Sequence, residues 1–315
     1  MNGFVSHPAE LPSGRKVVAL GVFDGVHRGH QEILRRLRAL AKEREAAAVA
    51  LFFEPHPKAV VSPPAPPGLT SIEMRIRLLR ALGIDEVVVM PFTPELSRLR
   101  PEEFLESGFC VEGIDVRGYC VGENWRFGQG NAGTPELLAE WCVRRGAKAV
   151  VVPSVLYKGT AISSTRIRQA VVDGSLDDAR EMLGRRYGIG GIVRHGWRNG
   201  HEKTSYPTAN LEEDAGLPPR RGVYAVRARA EGAPWLDAIA YVGDAPTIRK
   251  EVRRQLTEVH FFEAPKEELY GRFLEVEFWS RVRGERLFGS AEELSAQIAA
   301  DIACARGILT AGDGK

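Results

Sequence analysis

The sequence predicts an α/β protein: a doubly wound parallel-sheet domain followed by a small antiparallel β-barrel with a C-terminal helix. Three observations carry this reading. Short β-branched runs alternate with amphipathic stretches through the first half; strand-like runs follow one another without long helices after about residue 187; and a single amphipathic helix closes the chain. Lys16 to Gly21, Ala47 to Phe53, Glu86 to Met90, Asp115 to Val121 and Ala147 to Val152 read as strands, with helices over Arg28 to Arg44, Ile72 to Leu82 and Thr134 to Arg145. Strand, helix, strand in this order is the pattern of a parallel sheet covered on both faces. The proline-rich segment Val61 to Gly68 can be neither helix nor inner strand, and reads as a stiff loop and a candidate lid. A helical stretch from Ser164 to Leu183 closes the first domain.

The second-half strands are read over Gly222 to Arg229, Ala238 to Gly243, Leu256 to Phe262 and Arg272 to Trp279. Ser290 followed by Glu293 makes a capping box ahead of Leu294, Ile298 and Ile302, which starts the last helix. The expected domains are therefore 1–186, 187–308 and a polar tail over 309–315, with the boundary near Tyr187-Gly-Ile-Gly-Gly191.

The length of 315 residues suits two domains, and the hydrophobic share of 44% and charged share of 27% suit a folded, water-soluble chain. With Lys+Arg 43 against Asp+Glu 41, the net charge of +2 is too even for general nucleic-acid binding, so an anionic ligand has to be met locally. Cys110, Cys120, Cys142 and Cys304 are scattered without metal or disulfide spacing, which fits a reducing cytoplasm. No apolar run approaches the roughly 20 residues of a membrane span, and Met1 to Pro8 has no secretory pattern. Partners are expected to be small molecules, with no nucleic acid and no membrane, and a weak homo-oligomer is allowed.

Parallel sheets bind ligands at the carboxyl ends of their strands, so the turns after Gly21, Phe53 and Val121 are where chemistry is expected. Leu20-Gly-Val-Phe-Asp-Gly-Val-His-Arg-Gly-His-Gln31 leaves a strand and enters a helix, where glycine lets the backbone approach a phosphate and free N–H groups face it. His27 and His30 then could donate hydrogen bonds as charge builds at phosphorus. Two surface histidines capping a helix are the plainer alternative; zinc is disfavoured because no third ligand sits at a suitable spacing. Ala161-Ile-Ser-Ser-Thr-Arg-Ile-Arg168 offers a second anion site, with Ser164 or Thr165 as cap and Arg168 as clamp, or an ordinary N-cap with solvated arginines. Phe53-Glu-Pro-His-Pro57 and Val121-Gly-Glu-Asn-Trp-Arg-Phe-Gly128 put polar and aromatic groups where a flat ligand could stack. In the second half, Thr208 and Asn210 of Pro207-Thr-Ala-Asn210 could present oxygens to Mg²⁺. By themselves, this tetrapeptide is a turn, Glu258 a solvated carboxylate and Arg283 a surface charge.

Taken together, GVFDGVHRGH, VGENWRFG and ISSTRIR resemble the nucleotidylyltransferase domain of bacterial bifunctional riboflavin kinase/FAD synthetases. PTAN, Glu258-Val-His260, Leu269-Tyr-Gly271 and Arg283-Gly-Glu-Arg-Leu-Phe288 resemble the riboflavin kinase barrel that follows it in that family. The resemblance implies that riboflavin is phosphorylated to FMN and FMN adenylated to FAD, with ATP and Mg²⁺. It makes His27, His30 and Glu258 catalytic; Gly21, Asp24, Gly29, Ser164, Thr165 and Arg168 ATP- or phosphate-binding; His56, Asn124 and Arg283 flavin-binding; and Thr208 and Asn210 metal ligands. The alternatives are an FMN adenylyltransferase alone, its barrel reduced to a flavin-binding or regulatory module, or a non-catalytic nucleotide sensor. Two departures from the family pattern stand out. Ala161 replaces a basic residue, leaving Arg166 or Arg168 to supply the charge, and Ser205-Tyr206 replaces a Gly-aromatic pair in a Gly196 to Ser205 loop that is one residue longer.

Overall fold

The computed structural model describes residues 4–194, 208–211, 215–244, 255–266 and 268–312. They form two compact units, Met1–Pro67 with Arg75–Ser163 and Gly68–Met74 with Ser164–Lys315.

The first unit is built on β1 (Gly14–Leu20), β2 (Ala47–Glu54), β3 (Glu86–Pro91), β4 (Ile114–Gly122) and β5 (Lys148–Val152), all parallel, in the order β3-β2-β1-β4-β5. Continuous apolar runs such as Val17 to Leu20 and Ala48 to Phe53 are buried because helices cover the sheet faces. The helix α1 (Arg28–Glu43) buries Ile33, Leu34, Leu37, Leu40 and Ala41, one stripe at helical spacing. The short helix α2 (Pro57–Val61) ends where the proline-rich segment begins, and residues 62–71 carry no helix or strand, as the proline count requires. The helices α3 (Ile72–Ala81) and α6 (Pro135–Arg144) fall where periodicity places them. Three helices lie outside the sequence expectation, α2, α4 (Pro94–Arg98) and α5 (Pro101–Phe109), and α2 takes in Val61 from the segment read as loop; each starts with proline at its first position, and α4 and α5 add glutamate in the first turn, the signal that reveals them. A two-residue hairpin, β6 (Leu156–Tyr157) with β7 (Thr160–Ala161), ends the unit.

The order reverses at β1: β2 and β3 lie to one side, β4 and β5 to the other. That reversal opens a crevice between the carboxyl ends of β1 and β4, where ligands of such sheets bind.

The stretch expected as one helix from Ser164 to Leu183 is two, α7 (Ser164–Asp173) and α8 (Leu176–Leu183), broken at Gly174 with φ 81°. Both belong to the second unit, where the Arg220 N–H donates to the Val171 carbonyl at 3.3 Å. Segment 68–74 joins this unit through the Leu217 N–H on the Gly68 carbonyl (2.8 Å) and Ser71 Oγ on the Gly190 carbonyl (2.6 Å). The region read as a boundary is itself a strand, β8 (Gly188–Arg194), whose glycines hid it from a propensity reading. With β9 (Thr208–Leu211), β10 (Gly222–Ala230), β11 (Leu236–Asp244), β12 (Gln255–Phe261) and β13 (Phe273–Arg283) it closes a six-stranded barrel in the order β10-β11-β12-β9-β8-β13. Pro207-Thr-Ala-Asn210 is thus not a simple turn, since Thr208 to Asn210 pair with β12.

Inward positions such as Ala209, Val226, Ala240, Val242, Val259, Phe261 and Phe278 are buried and fill the barrel. The last helix, α9 (Ala291–Gly312), lays Ile302, Ala305 and Leu309 on Val223, Ala225 and Ile239 of the outer face. The expected tail over 309–315 is therefore corrected: the helix runs through Gly312, and Leu309 is buried because it is the last apolar residue of the stripe. The expected capping box is half formed. Ser290 Oγ accepts from the Glu293 N–H (3.2 Å), whereas Glu293 Oε2 accepts from the Gly289 N–H (3.0 Å), one residue earlier than the motif predicts.

Candidate active sites

In the first unit, the turn after β1 brings His27 and His30 together. His27 is the N-cap of α1: its Nδ1 accepts from the His30 N–H at 3.3 Å, so the imidazole does what a Ser or Asp side chain does elsewhere. Capping is therefore real, but the surface position of the plainer reading is not, since His27 is buried. The His30 ring stacks on it, with centroids 3.6 Å apart and planes 16° from parallel, and meets the Phe23 ring edge-on at 5.3 Å. Burial, with His27 and Arg75 nearby, holds the His30 pKa well below the ordinary imidazole range. Its Nδ1 is buried without a hydrogen-bond partner. Gly29 packs closely on the same ring: a Cβ there would stand 3.1 Å from His27 Cε1. Gly21 donates its N–H to the Leu51 carbonyl at 3.2 Å, which fixes the start of the turn against β2.

Asp24 lies in the same turn, fully buried, with Oδ1 3.4 Å from Arg75 Nη2. The pair braces the turn that leads into α1.

Around the crevice the other expected residues are spread over two further loops. His56 follows β2 and caps α2, its Nδ1 accepting from the Lys58 N–H at 3.1 Å. Burial raises the pKa of Glu54 at the end of β2, against the opposing effect of Arg75. After β4, exposed Asn124 donates through Nδ2 to Ser154 Oγ (3.2 Å), and Glu123 Oε1 accepts from the Ser154 N–H (3.0 Å). The neighbouring Trp125 ring stacks on Phe127 at 4.4 Å.

In the second unit, Ser164 and Thr165 are the first two residues of α7. Arg168 lies one turn on from Ser164 and shares its face.

The barrel site is set by register. Glu258 on β12 lies opposite Asn210 on β9 and opposite Tyr241 on β11, and Asn210 lies opposite Arg194 on β8, so four polar residues form one row across the outer face. Residues directly opposite in a ladder point to the same side, with Cβ atoms about 5 Å apart. Thr208 holds the register position opposite His260, and His260 Nε2 stands 3.6 Å from Glu258 Oε1. Tyr241 donates to Glu285 Oε1 at 3.0 Å, tying the segment after β13 to this face. The carbonyl oxygen of Asn210 and a threonine hydroxyl are hard donors of the kind Mg²⁺ takes while keeping most of its waters, so the donor set fits that ion. Among the described residues no cluster of three His, Cys, Asp or Glu could hold a metal. The loop carrying Ser205 and Tyr206 lies outside the described residues.

Arg283, expected to bind flavin, pairs with a carboxylate of the last helix. Nε stands 3.0 and 2.8 Å from the two Asp301 carboxylate oxygens, Nη2 is 2.8 Å from Oδ2, and Nη1 donates to the Gly284 carbonyl at 2.9 Å. Asp301, on α9, is only 4% exposed and also accepts from Gln297 (2.8 Å). The guanidinium thus fastens the last helix to the barrel, a use that local sequence cannot reveal.

Known proteins match along both units. The FAD synthetase family model covers residues 10–166 and the riboflavin kinase model residues 183–309. The bifunctional riboflavin kinase/FMN adenylyltransferase of Escherichia coli (strain K12) is 34% identical over 95% of this chain and 94% of its own length. That of Bacillus subtilis (strain 168) is 30% identical, with 94% of each chain covered. A crystal structure described as a macrolide-efflux protein from Streptococcus pneumoniae superposes with a TM-score of 0.79 at 30% identity, over 95% of this chain and 96% of that one. Among the described residues no helix is long and apolar enough to cross a membrane. Two family models in tandem, on a parallel sheet followed by a closed barrel, match the arrangement of relatives covered almost end to end: the chain belongs to the bifunctional riboflavin kinase/FMN adenylyltransferase family.

Proposed function

We propose that the chain phosphorylates riboflavin with ATP, giving FMN and ADP, and then transfers the adenylyl group of a second ATP to FMN, giving FAD and pyrophosphate. Family membership supports both activities. The observation that carries the kinase half is the register of Glu258 against Asn210, which joins two residues of separate motifs in one row on the outer barrel face.

In the kinase step, Glu258 takes the proton of the ribityl 5′-hydroxyl as its oxygen attacks the γ-phosphorus, and ADP leaves. Thr208 and Asn210 would hold Mg²⁺, which when bound neutralises charge on the nucleotide phosphates. In the adenylyl step, an FMN phosphate oxygen attacks the α-phosphorus and pyrophosphate leaves. The phosphate is already ionised, so no base is needed, and catalysis rests on positioning and on donors to the developing charge. His27 and His30 supply those donors at the end of β1. Ser164, Thr165 and Arg168 keep their assignment to ATP phosphate from the motif. His56 and Asn124, on the loops after β2 and β4, are assigned to flavin in the adenylyl step, and Arg283 to flavin in the barrel.

The adenylyltransferase and kinase domains are assigned to 1–186 and 187–308. The four cysteines are free, which supports a reducing, cytoplasmic location. Small molecules are the proposed partners, with no nucleic acid, and any self-association is weak.

Incubating the protein with riboflavin, ATP and Mg²⁺ and resolving the flavins over time tests the reading. FMN should rise first and then fall as FAD accumulates. Formation of FAD from supplied FMN, with no product from riboflavin, would instead establish the single-activity alternative.

A further inference from the structure

The turn that carries His27 and His30 is held in an unfavourable backbone conformation. Phe23, Gly25 and Val26 have φ of 51°, 77° and 41°. For the two non-glycine residues the left-handed region is unfavourable, and such a turn persists only where its surroundings over-determine it. Local bonds supply part of the restraint: the Val26 N–H donates to the Phe23 carbonyl (3.0 Å) and Gln31 Nε2 to the Val26 carbonyl (2.9 Å).

The rest comes from far along the sequence. Arg75, on α3, is 6% exposed at its side chain, and it reaches the turn with both terminal nitrogens: Nη1 donates to the Val22 carbonyl at 3.2 Å, and Nη2 is 3.4 Å from Asp24 Oδ1. Its Cζ lies 4.8 Å over the Phe52 ring, so β2 fixes the plane of the guanidinium. One flat group therefore grips the turn on both sides of Phe23, immediately before the imidazoles. A lysine could satisfy the charge but not both bonds.

We infer that Arg75 is a positioning residue for adenylyl transfer, holding the Val22 to Asp24 turn so that His27 and His30 meet the reacting phosphate. The inference rests on the proposed role of the two histidines. Arg75 is buried and its nitrogens face the turn, so it acts through the imidazoles rather than on the substrate.

The test is FAD formation from supplied FMN by Arg75→Ala and Arg75→Lys in the full chain, with riboflavin phosphorylation by the same preparations as the folding control. Misplacing a catalytic group by about 1 Å costs on the order of 10²-fold, so kcat should fall by roughly that factor in Arg75→Ala and about tenfold in Arg75→Lys. KM for ATP and FMN should stay within about threefold. Guanidinium ion at tens of millimolar should restore part of the Arg75→Ala rate, because it can occupy the vacated space, and should not help Arg75→Lys, where the ammonium fills it. Parent-like FAD formation in both variants, or an Arg75→Ala protein that guanidinium does not restore, overturns the inference. If Arg75→Ala does not fold, Arg75→Lys decides: lower kcat at unchanged KM supports positioning, and raised KM at unchanged kcat refutes it. His27→Asn and His30→Gln, assayed alongside, separate the two levels: if they too keep full FAD formation, the proposed histidine role fails and not merely the part played by Arg75.

Discussion

The imidazoles of His27 and His30 stack face to face, 3.6 Å between centroids, with the Nδ1 of the first accepting the backbone N–H of the second. That bond uses His27 Nδ1 as an acceptor and makes Nε2 the ring's donor atom, beside a helix N-terminus. Burial, with His27 and Arg75 nearby, holds the His30 pKa well below the ordinary imidazole range.

His27 does two jobs, so its substitution must separate them. Alanine would lose the cap, worth roughly 0.5 to 2 kcal/mol, as well as the ring. His27→Asn keeps a capping oxygen and should fold like the parent while FAD formation falls on the order of 10²-fold, the loss typical of one preorganised donor. Riboflavin phosphorylation should not change. A steady-state assay of both activities checks this, and an unaltered FAD rate would return His27 to a capping role alone.

His30 makes stability depend on pH. Its folded pKa is lowered, so between that value and the ordinary imidazole value of about 6.5 the unfolded chain binds more protons than the folded one. Stability therefore rises with pH across this window, is fully present above it, and is lost as pH falls through about 6.5 toward the folded value. Thermal unfolding of parent and His30→Gln over this range should show a smaller loss on acidification in the variant; equal slopes would refute the assignment.

Glu258 faces Asn210 across the β12–β9 ladder, and the kinase reading makes it the base. Glu258→Gln keeps the shape and removes the proton acceptor, so phosphorylation of riboflavin should drop about 10²- to 10⁴-fold. FAD formation from FMN should be unaffected, since that step takes place in the other half of the chain. A variant that phosphorylates normally would leave Glu258 a solvated carboxylate.

Asp301 is the buried partner of Arg283, and Arg283 keeps 21% exposure. Full burial of both partners would make the loss about 3 to 5 kcal/mol; here Asp301→Ala should cost about 2 kcal/mol, because water can still reach the stranded guanidinium. For a unit of this size that lowers Tm by roughly 4 to 8 °C, measurable by differential scanning calorimetry as a shift of one transition. An unshifted transition would mean that the helix is held by Ile302, Ala305 and Leu309 alone.

The sequence by itself determined the sheet of the first unit, its principal helices and their order. Apolar runs marked β1 to β5 to within a residue or two, helical spacing marked α1, α3 and α6, and FDGVHRGH, ISSTRIR and PTAN announced the family, because each of these signals is carried by neighbouring residues. What it left open depends on pairing between distant segments. The β3-β2-β1-β4-β5 order sets the turn bearing His27 beside the loop bearing Asn124; the barrel register puts Glu258 opposite Asn210; and closure of the barrel recruits β8, whose glycines give no strand signal of their own. Two ion pairs add partners that the motifs do not show: Asp24 turns to Arg75, 51 positions away, and Arg283 to Asp301. No local pattern encodes such a pairing, since a buried charge is decided by whichever opposite charge the packed chain brings within reach, and only the tertiary structure brings it there.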